Sequence, residues 1–481
     1  MLTETANRDS RSSYWLRVRE FAVPSSMIET ATGRRSSGDW AGACAAAGVD
    51  VDLNLRSVAD AHGRELAARV RADLRHLAPD LLRWHLPRTA PDGLLRPGLT
   101  MALARYDAWG PDGPYPAQLV IRTPPAWADG GQRISLALWD GSLADAAARR
   151  HPHPHPSRRF RLDLHRHLWD ARRAGELRSR SGADRPAAGL RPVPDPPLPG
   201  PVPALRLHRF AVDRWADEAG ILLRAEGLPV GPVTVRCGVR HRLLLDPAVD
   251  GDGPGPPALR ISAAPADGVA AALPVLPDAA AWVPPDLELL RAGAIEAGRL
   301  HPLVASALAP EHAPPGDHRD PDPPGGPRLV ECRGARHRIG LVDGVLAPLD
   351  HDPAEIRREE LLVALTGNPL PCLRAIDEAH RRPHCLSGVR ERLLHGDITG
   401  ALAVVEGLLG PDAVLRGGAL RDELAAAAQR RITHGLFRAG LIGGGPGSAP
   451  GRFFPARPRS RPRPRPRSGD RTPRPRLATF R

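Results

Sequence analysis

VRCGVRHRLLLD at residues 235–246 returns further along the chain as VECRGARHRIGLVDG at 330–344. Each copy runs from cysteine through glycine to Arg-His-Arg, then to an aliphatic stretch and aspartate. Glycine in a short polar break between two aliphatic runs marks a β-hairpin turn. The spacing therefore predicts the same hairpin twice. RISLALWDGSL (133–143) echoes the second half of the later copy, RIGLVDGVL (338–346), so a third use is expected there.

Around these hairpins the apolar period is helical. Leu66, Val70, Leu74 and Leu77 share one helix face, and Asp39 is placed to N-cap a helix through Cys44. Leu99–Arg105, Gln118–Arg122 and Arg133–Leu138 read as strands. Asp163 to about Arg178 reads as a short basic helix, and Leu205–Leu222 as the clearest helix. Asp286–Leu308 and Ala354–Leu441 also read as helical, the latter with turns near Gly367, Gly396 and Gly417. The fold class expected is α+β. It has two globular regions, 14–143 and 204–441, with duplicated hairpins packed on helices and a helical C-terminal part. A His/Arg-rich segment and Pro-rich linker (144–203) joins them, and an internal linker spans 310–327. Residues 442–481 read as a disordered Arg-Pro tail without a core.

A second echo pairs SGDWAGACAAA (37–47) with HGDITGALAVV (395–405). The shared Gly-Asp reads as a helix-ending glycine followed by an N-cap aspartate. His395-Gly396-Asp397 also opens like an aminoglycoside-phosphotransferase catalytic loop. That loop needs a magnesium-holding Asn where Leu402 stands, and an ATP-binding Lys.

The chain of 481 residues contains no lysine. A Walker A loop, a protein-kinase ATP site, a pyridoxal-phosphate Schiff base and a Ser-Lys dyad all require one. The net charge of +13 is concentrated. Arg452–Arg481 carries eleven arginines against one aspartate, and Arg149–Arg180 carries ten against Asp163, Asp170 and Glu176. The remainder is slightly acidic. Two cationic segments of this kind suit weak binding of an anionic polymer such as nucleic acid.

Five cysteines, Cys44, Cys237, Cys332, Cys372 and Cys385, form no C-x-x-C pair. With no apolar leader at the N-terminus, reduced thiols in the cytoplasm and no membrane association are expected. Duplication brings one metal candidate into view. Cys237 with His241, and Cys332 with His337, supply a pseudo-symmetric Cys2His2 donor set, although their spacing fits no zinc-finger pattern. Buried cysteines and turn-proximal histidines are also ordinary hairpin residues, which is the reading favoured here. The HPHPHP run at 151–156 reads as flexible; His151, His153 and His155, with His165 and His167 following, could bind Zn, Ni or Cu weakly, but no carboxylate or thiol fixes a geometry, and the structural reading is favoured. Asp350-His351-Asp352 reads as acidic dressing of the helix that begins at Pro353. Asp317-His318-Arg319-Asp320 falls in the internal linker. No cofactor motif is found.

These stretches, with YWLRVREFAVPSSMIE at 14–29, resemble uncharacterised hypothetical proteins of high-GC bacteria over most of the chain but not the tail. The resemblance implies no activity. Duplicated modules without a catalytic constellation favour a non-enzymatic interaction or scaffold protein with an unknown protein partner. The alternatives are an enzyme using the Arg-His-Arg hairpins, and a weak, non-specific nucleic-acid binder.

Overall fold

Apolar residues three and four apart wind the chain up to His85 into helices. In the computed structural model these are α1 (Leu2–Ala22), α2 (Ser25–Ser36), α3 (Trp40–Ala46), α4 (Leu55–His62), α5 (Arg64–His76) and α6 (Pro79–His85), with strand β1 (Val49–Val51) after α3. The structure describes residues 2–109, 116–141, 150–184, 209–238, 241–247, 259–264, 272–311, 328–332, 334–342, 345–366, 370–374, 386–409, 415 and 417–442. Residues 1–442 form one compact unit. The Arg-Pro tail and the 310–327 linker, apart from Pro310 and Glu311, lie outside the described residues.

A small hairpin, β2 (Arg88–Thr89) and β3 (Leu94–Leu95), leads into an antiparallel meander of β4 (Thr100–Trp109), β5 (Pro116–Arg122) and β6 (Ile134–Trp139). β1 adds to β6 in parallel, giving the order β1-β6-β5-β4. Leu119 and Ile121 of β5 enter the main core with Leu66, Val70 and Leu74 of α5.

The His/Arg-rich segment is not a flexible connection where it is described. His151 is buried and bonds to the carbonyl of Thr123 at 2.9 Å, while the Thr100 hydroxyl donates to the carbonyl of His153 at 2.7 Å. The basic helix expected from Asp163 is replaced by single 3-10 turns at 162–164, 166–168 and 174–176, and then α7 (Leu177–Ser181). These turns bury Leu162, Leu168 and Trp169 in the main core. Six of the nine described arginines from Arg150 to Arg180 have carboxylate partners. Arg166 and Arg172 bind Asp73 and Asp170, Arg161 binds Asp163 and Glu226, and Arg180 binds Glu218. Arg159 binds Asp278, and Arg173 binds Glu176.

The helix read from Leu205 is shorter where described: α8 spans Trp215–Ala225. Phe210, inside the span read as helical, instead bridges to Trp282, their rings 4.3 Å apart and tilted by 30°. Then come β7 (Val233–Arg236), β8 (Arg242–Pro247) and β9 (Leu259–Ala263), a second meander. α9 (Asp278–Ala281) follows, and α10 (Pro285–Arg291) and α11 (Pro302–Leu308) divide the helix read over 286–308. Gly293, at φ +63°, turns the chain out of helix after α10. The third meander is β10 (Arg328–Cys332), β11 (Ala335–Val342) and β12 (Val345–Pro348). Finally α12 (Pro353–Thr366), α13 (Leu386–His395), α14 (Ile398–Leu409) and α15 (Ala419–Ala439) form the helical C-terminal part.

The duplicated hairpins are present, and each is the start of a three-stranded meander. Their registers differ. Val235 pairs with Leu243, whereas its counterpart Val330 pairs with His337 rather than Ile339. The slip is by an even count, so inward and outward faces are preserved. The Gly-Asp echo also has one geometry. Gly38 (φ +81°) and Gly396 (φ +87°) end helices, and Asp39 and Asp397 then cap the next helix by accepting from Gly42 N–H at 2.8 Å and Gly400 N–H at 2.9 Å. Asp397 is thus a helix cap that also accepts from Arg392 at 2.8 Å.

The polar residues of buried α6 tie these parts together. Asp80 accepts from His301 of α11 at 2.8 Å, and Trp84 donates to Asp286 of α10 at 2.6 Å. Arg83 donates to the carbonyls of Ala22, Gln132 and His395 at 2.7–2.9 Å, with a longer contact to Ala47 at 3.4 Å. Ala22, Ala47 and His395 stand at the C-terminal ends of α1, α3 and α13. Helix C-termini carry unpaired carbonyls and partial negative charge, so one guanidinium satisfies three of them. The main core likewise joins β4 and β5 to Leu289, Leu300 and Val304. Residues on both sides of the expected linker therefore share one interior. No helix among the described residues is long and apolar enough to cross a membrane.

Candidate ligand cavity

Two cavities stand out in the compact unit. The smaller, about 160 Å³, is lined by Arg122, Arg133, Arg150, His434 and Arg438. Its charge is largely answered from within: Arg133 and Arg438 both hold Asp50, at 2.5 and 2.9 Å, and Arg438 also pairs with Asp52.

The larger cavity, about 320 Å³, differs in charge. Its walls come from α1, the end of α6, β2, the 3-10 turns at 159–168, α7 and the stretch 278–285. Arg11, Arg88, Arg96, Arg159, Arg161 and Arg180 line it against a single carboxylate, Asp278. Four of these arginines have carboxylate partners: Glu288, the cavity's own Asp278, Asp163 with Glu226, and Glu218. Arg88 is not. Its guanidinium donates to the carbonyls of Gly93 and Arg83 at 2.8 and 2.7 Å, and its buried Nε–H has no acceptor. Burial, reinforced by nearby Arg83, pushes it down to about 9. Arg96 stands exposed at the rim.

The remaining wall is aromatic and imidazole. Trp15 meets Trp84 edge-on at 5.7 Å, and Trp282 also lines the cavity. Burial holds His85 down at about 3 and His167 well below its usual range, so both rings are neutral near pH 7. His85 Nε2 and His167 Nδ1 are buried without a hydrogen-bond partner. His165 lies 3.2 Å from Glu218. Burial alone would raise that carboxyl, but His165 and Arg180 more than offset it and hold it at about 2. The arrangement offers a planar cation, neutral imidazole nitrogens and flat apolar surface in one space. These are the groups that organic anions are recognised by.

The residues singled out by the duplication lie elsewhere. Cys237 is buried in a second core with Val235, Leu243 and Leu276, where burial pushes its thiol up to about 12. Its N–H donates to the carbonyl of His241 at 2.9 Å, closing the turn. Cys332 packs instead with Leu370 and Cys372. His337 stacks on His351, centroids 4.2 Å apart and planes 12° from parallel. The four candidate ligands are thus divided between separate clusters. His351 and Cys372 join the second pair, and neither was a ligand candidate in the sequence. The Asp-His-Asp triplet was visible there, but its histidine read as part of a helix start. Arg88, His85 and His167 belong to no motif, and only the fold brings them together.

No family model, no curated protein and no solved structure matches this chain.

Proposed function

We propose that this protein binds a small organic anion carrying a planar apolar group, and that it does so as a binding or interaction protein rather than through catalysis. The observation that carries the reading is Arg88. A buried charge is normally paired, because leaving water costs several kcal/mol. Here the guanidinium meets only carbonyls, and one N–H faces no acceptor. A ligand carboxylate or phosphate would complete it, with the tryptophans taking the flat part of the molecule. Among the described residues, those of the Arg-His-Arg hairpins do not line this cavity.

The test is a thermal-shift and calorimetric series with phenyl phosphate and benzoate set against benzyl alcohol and benzamide. The anions are expected to stabilise the chain, and Arg88→Met to reduce that effect by roughly tenfold or more in affinity, the loss of one charge-assisted contact worth about 1.5–3 kcal/mol. Equal shifts from the neutral compounds, or anion binding untouched in Arg88→Met, would refute the assignment.

A further inference from the structure

The third meander carries a set of donors that the cavity does not use. Cys332 Sγ, a His351 ring nitrogen and Cys372 Sγ all lie within 4.8 Å of one another. Both cysteines are 0% exposed, and the two thiols are in hydrogen-bond contact. The His351 side chain is 4% exposed. Its Nδ1 lies 3.6 Å from the Glu355 carboxylate one helical turn on, and its Nε2 is buried without a partner. The stacked His337 presents a second buried, unpartnered nitrogen, Nδ1.

We infer that Cys332, Cys372 and His351 form a zinc site. Two soft thiolates and one imidazole are a donor set that zinc takes, with water in its fourth position. A carboxylate on the far nitrogen of a ligating histidine fixes the tautomer that leaves the other nitrogen free for metal, which is the role of Glu355. Among the described residues, Cys332, Leu370 and Cys372 are buried together here, with Val330 and Leu373 partly so. Ligation would fasten β10–β11 to the start of α12 and to the chain around Cys372. Of the duplicated cysteines the site uses Cys332, while Cys237 stays a core residue in the other meander.

The experiment uses the full-length chain, purified without a histidine tag or added metal. Elemental analysis is expected to give zinc near one per chain, retained in Cys237→Ser and lost in Cys332→Ser, Cys372→Ser and His351→Ala. Glu355→Gln should weaken zinc by about 10–100-fold. Because a ligand variant could fail to fold, the unsubstituted chain is also loaded with Co²⁺. Thiolate charge-transfer absorption with intense tetrahedral d–d bands is expected, and chelation should open Cys332 and Cys372 to alkylation. Any of three results overturns the site: zinc retained when both cysteines are serine, cobalt spectra without a thiolate band, or a metal-free chain with a Cys332–Cys372 disulfide. The cobalt spectrum should be unchanged in His337→Ala, and loss of its tetrahedral bands there would overturn this three-residue set.

Discussion

Arg83 shows how far a single side chain can decide a fold of this kind. Its partners are backbone carbonyls spread from Ala22 to His395, so no pairwise sequence pattern points to it. Arg83→Met keeps the apolar stem but leaves those acceptors buried and unpaired. Each unpaired group costs about 1–3 kcal/mol, so a loss of at least about 3 kcal/mol is expected. That is a large part of an ordinary domain's stability. Arg83→Lys should recover little, because an ammonium has three donors and no planar fork. The measurement is the urea midpoint of each variant at constant slope. A shift under about 1 kcal/mol for Arg83→Met would mean that water replaces the guanidinium.

At the level of elements, the Gly-Asp turns give a sign test. A Cβ on Gly400 would fall 2.1 Å from the Asp397 carboxylate, and one on Gly42 2.1 Å from Asp39. Gly400→Ala should therefore displace the cap and cost about 1 kcal/mol, as should Asp397→Ala alone. With Asp397 already alanine the obstruction is gone. Gly400→Ala should then stabilise α14 by up to about 1 kcal/mol, the usual helix preference for alanine over glycine. Additive costs in this double-mutant cycle would mean that the glycine serves some other contact. Both caps were legible in the sequence because every participant lies within a few residues. So were the hairpins, and α5, whose apolar period sets its buried face. The 150–181 segment was not legible. Its leucines and Trp169 are buried through 3-10 turns against other elements, and Arg166, Arg161 and Arg180 meet carboxylates far off in the chain. A run of like charges looks solvated until its partners are folded around it. The ligand cavity and the Cys332–His351–Cys372 cluster were hidden for the same reason, their members being separated by tens of residues or more.

Over the whole molecule, that pairing changes where an anionic polymer could act. The sequence has two cationic segments, but arginines of the first are largely engaged by Asp73, Asp170, Glu218, Glu226 and Asp278. The excess left for phosphate lies in Arg452–Arg481, whose eleven arginines face one aspartate. Arginine alternating with proline supplies charge at intervals but no fixed surface to read base edges, so binding should be weak and independent of sequence. Each phosphate neutralised on duplex DNA contributes a slope of about −0.9 to log K against log salt, and roughly five contacts give about −4 to −5. A salt titration on duplex and single-stranded oligonucleotides should show that slope for the full chain and its loss for a chain ending at Gly443. Undiminished binding by the shortened chain would place the contact on the body, where exposed arginines such as Arg96 would become the next to substitute. Absence of binding at low salt would confine the anionic partners to molecules small enough for the cavity.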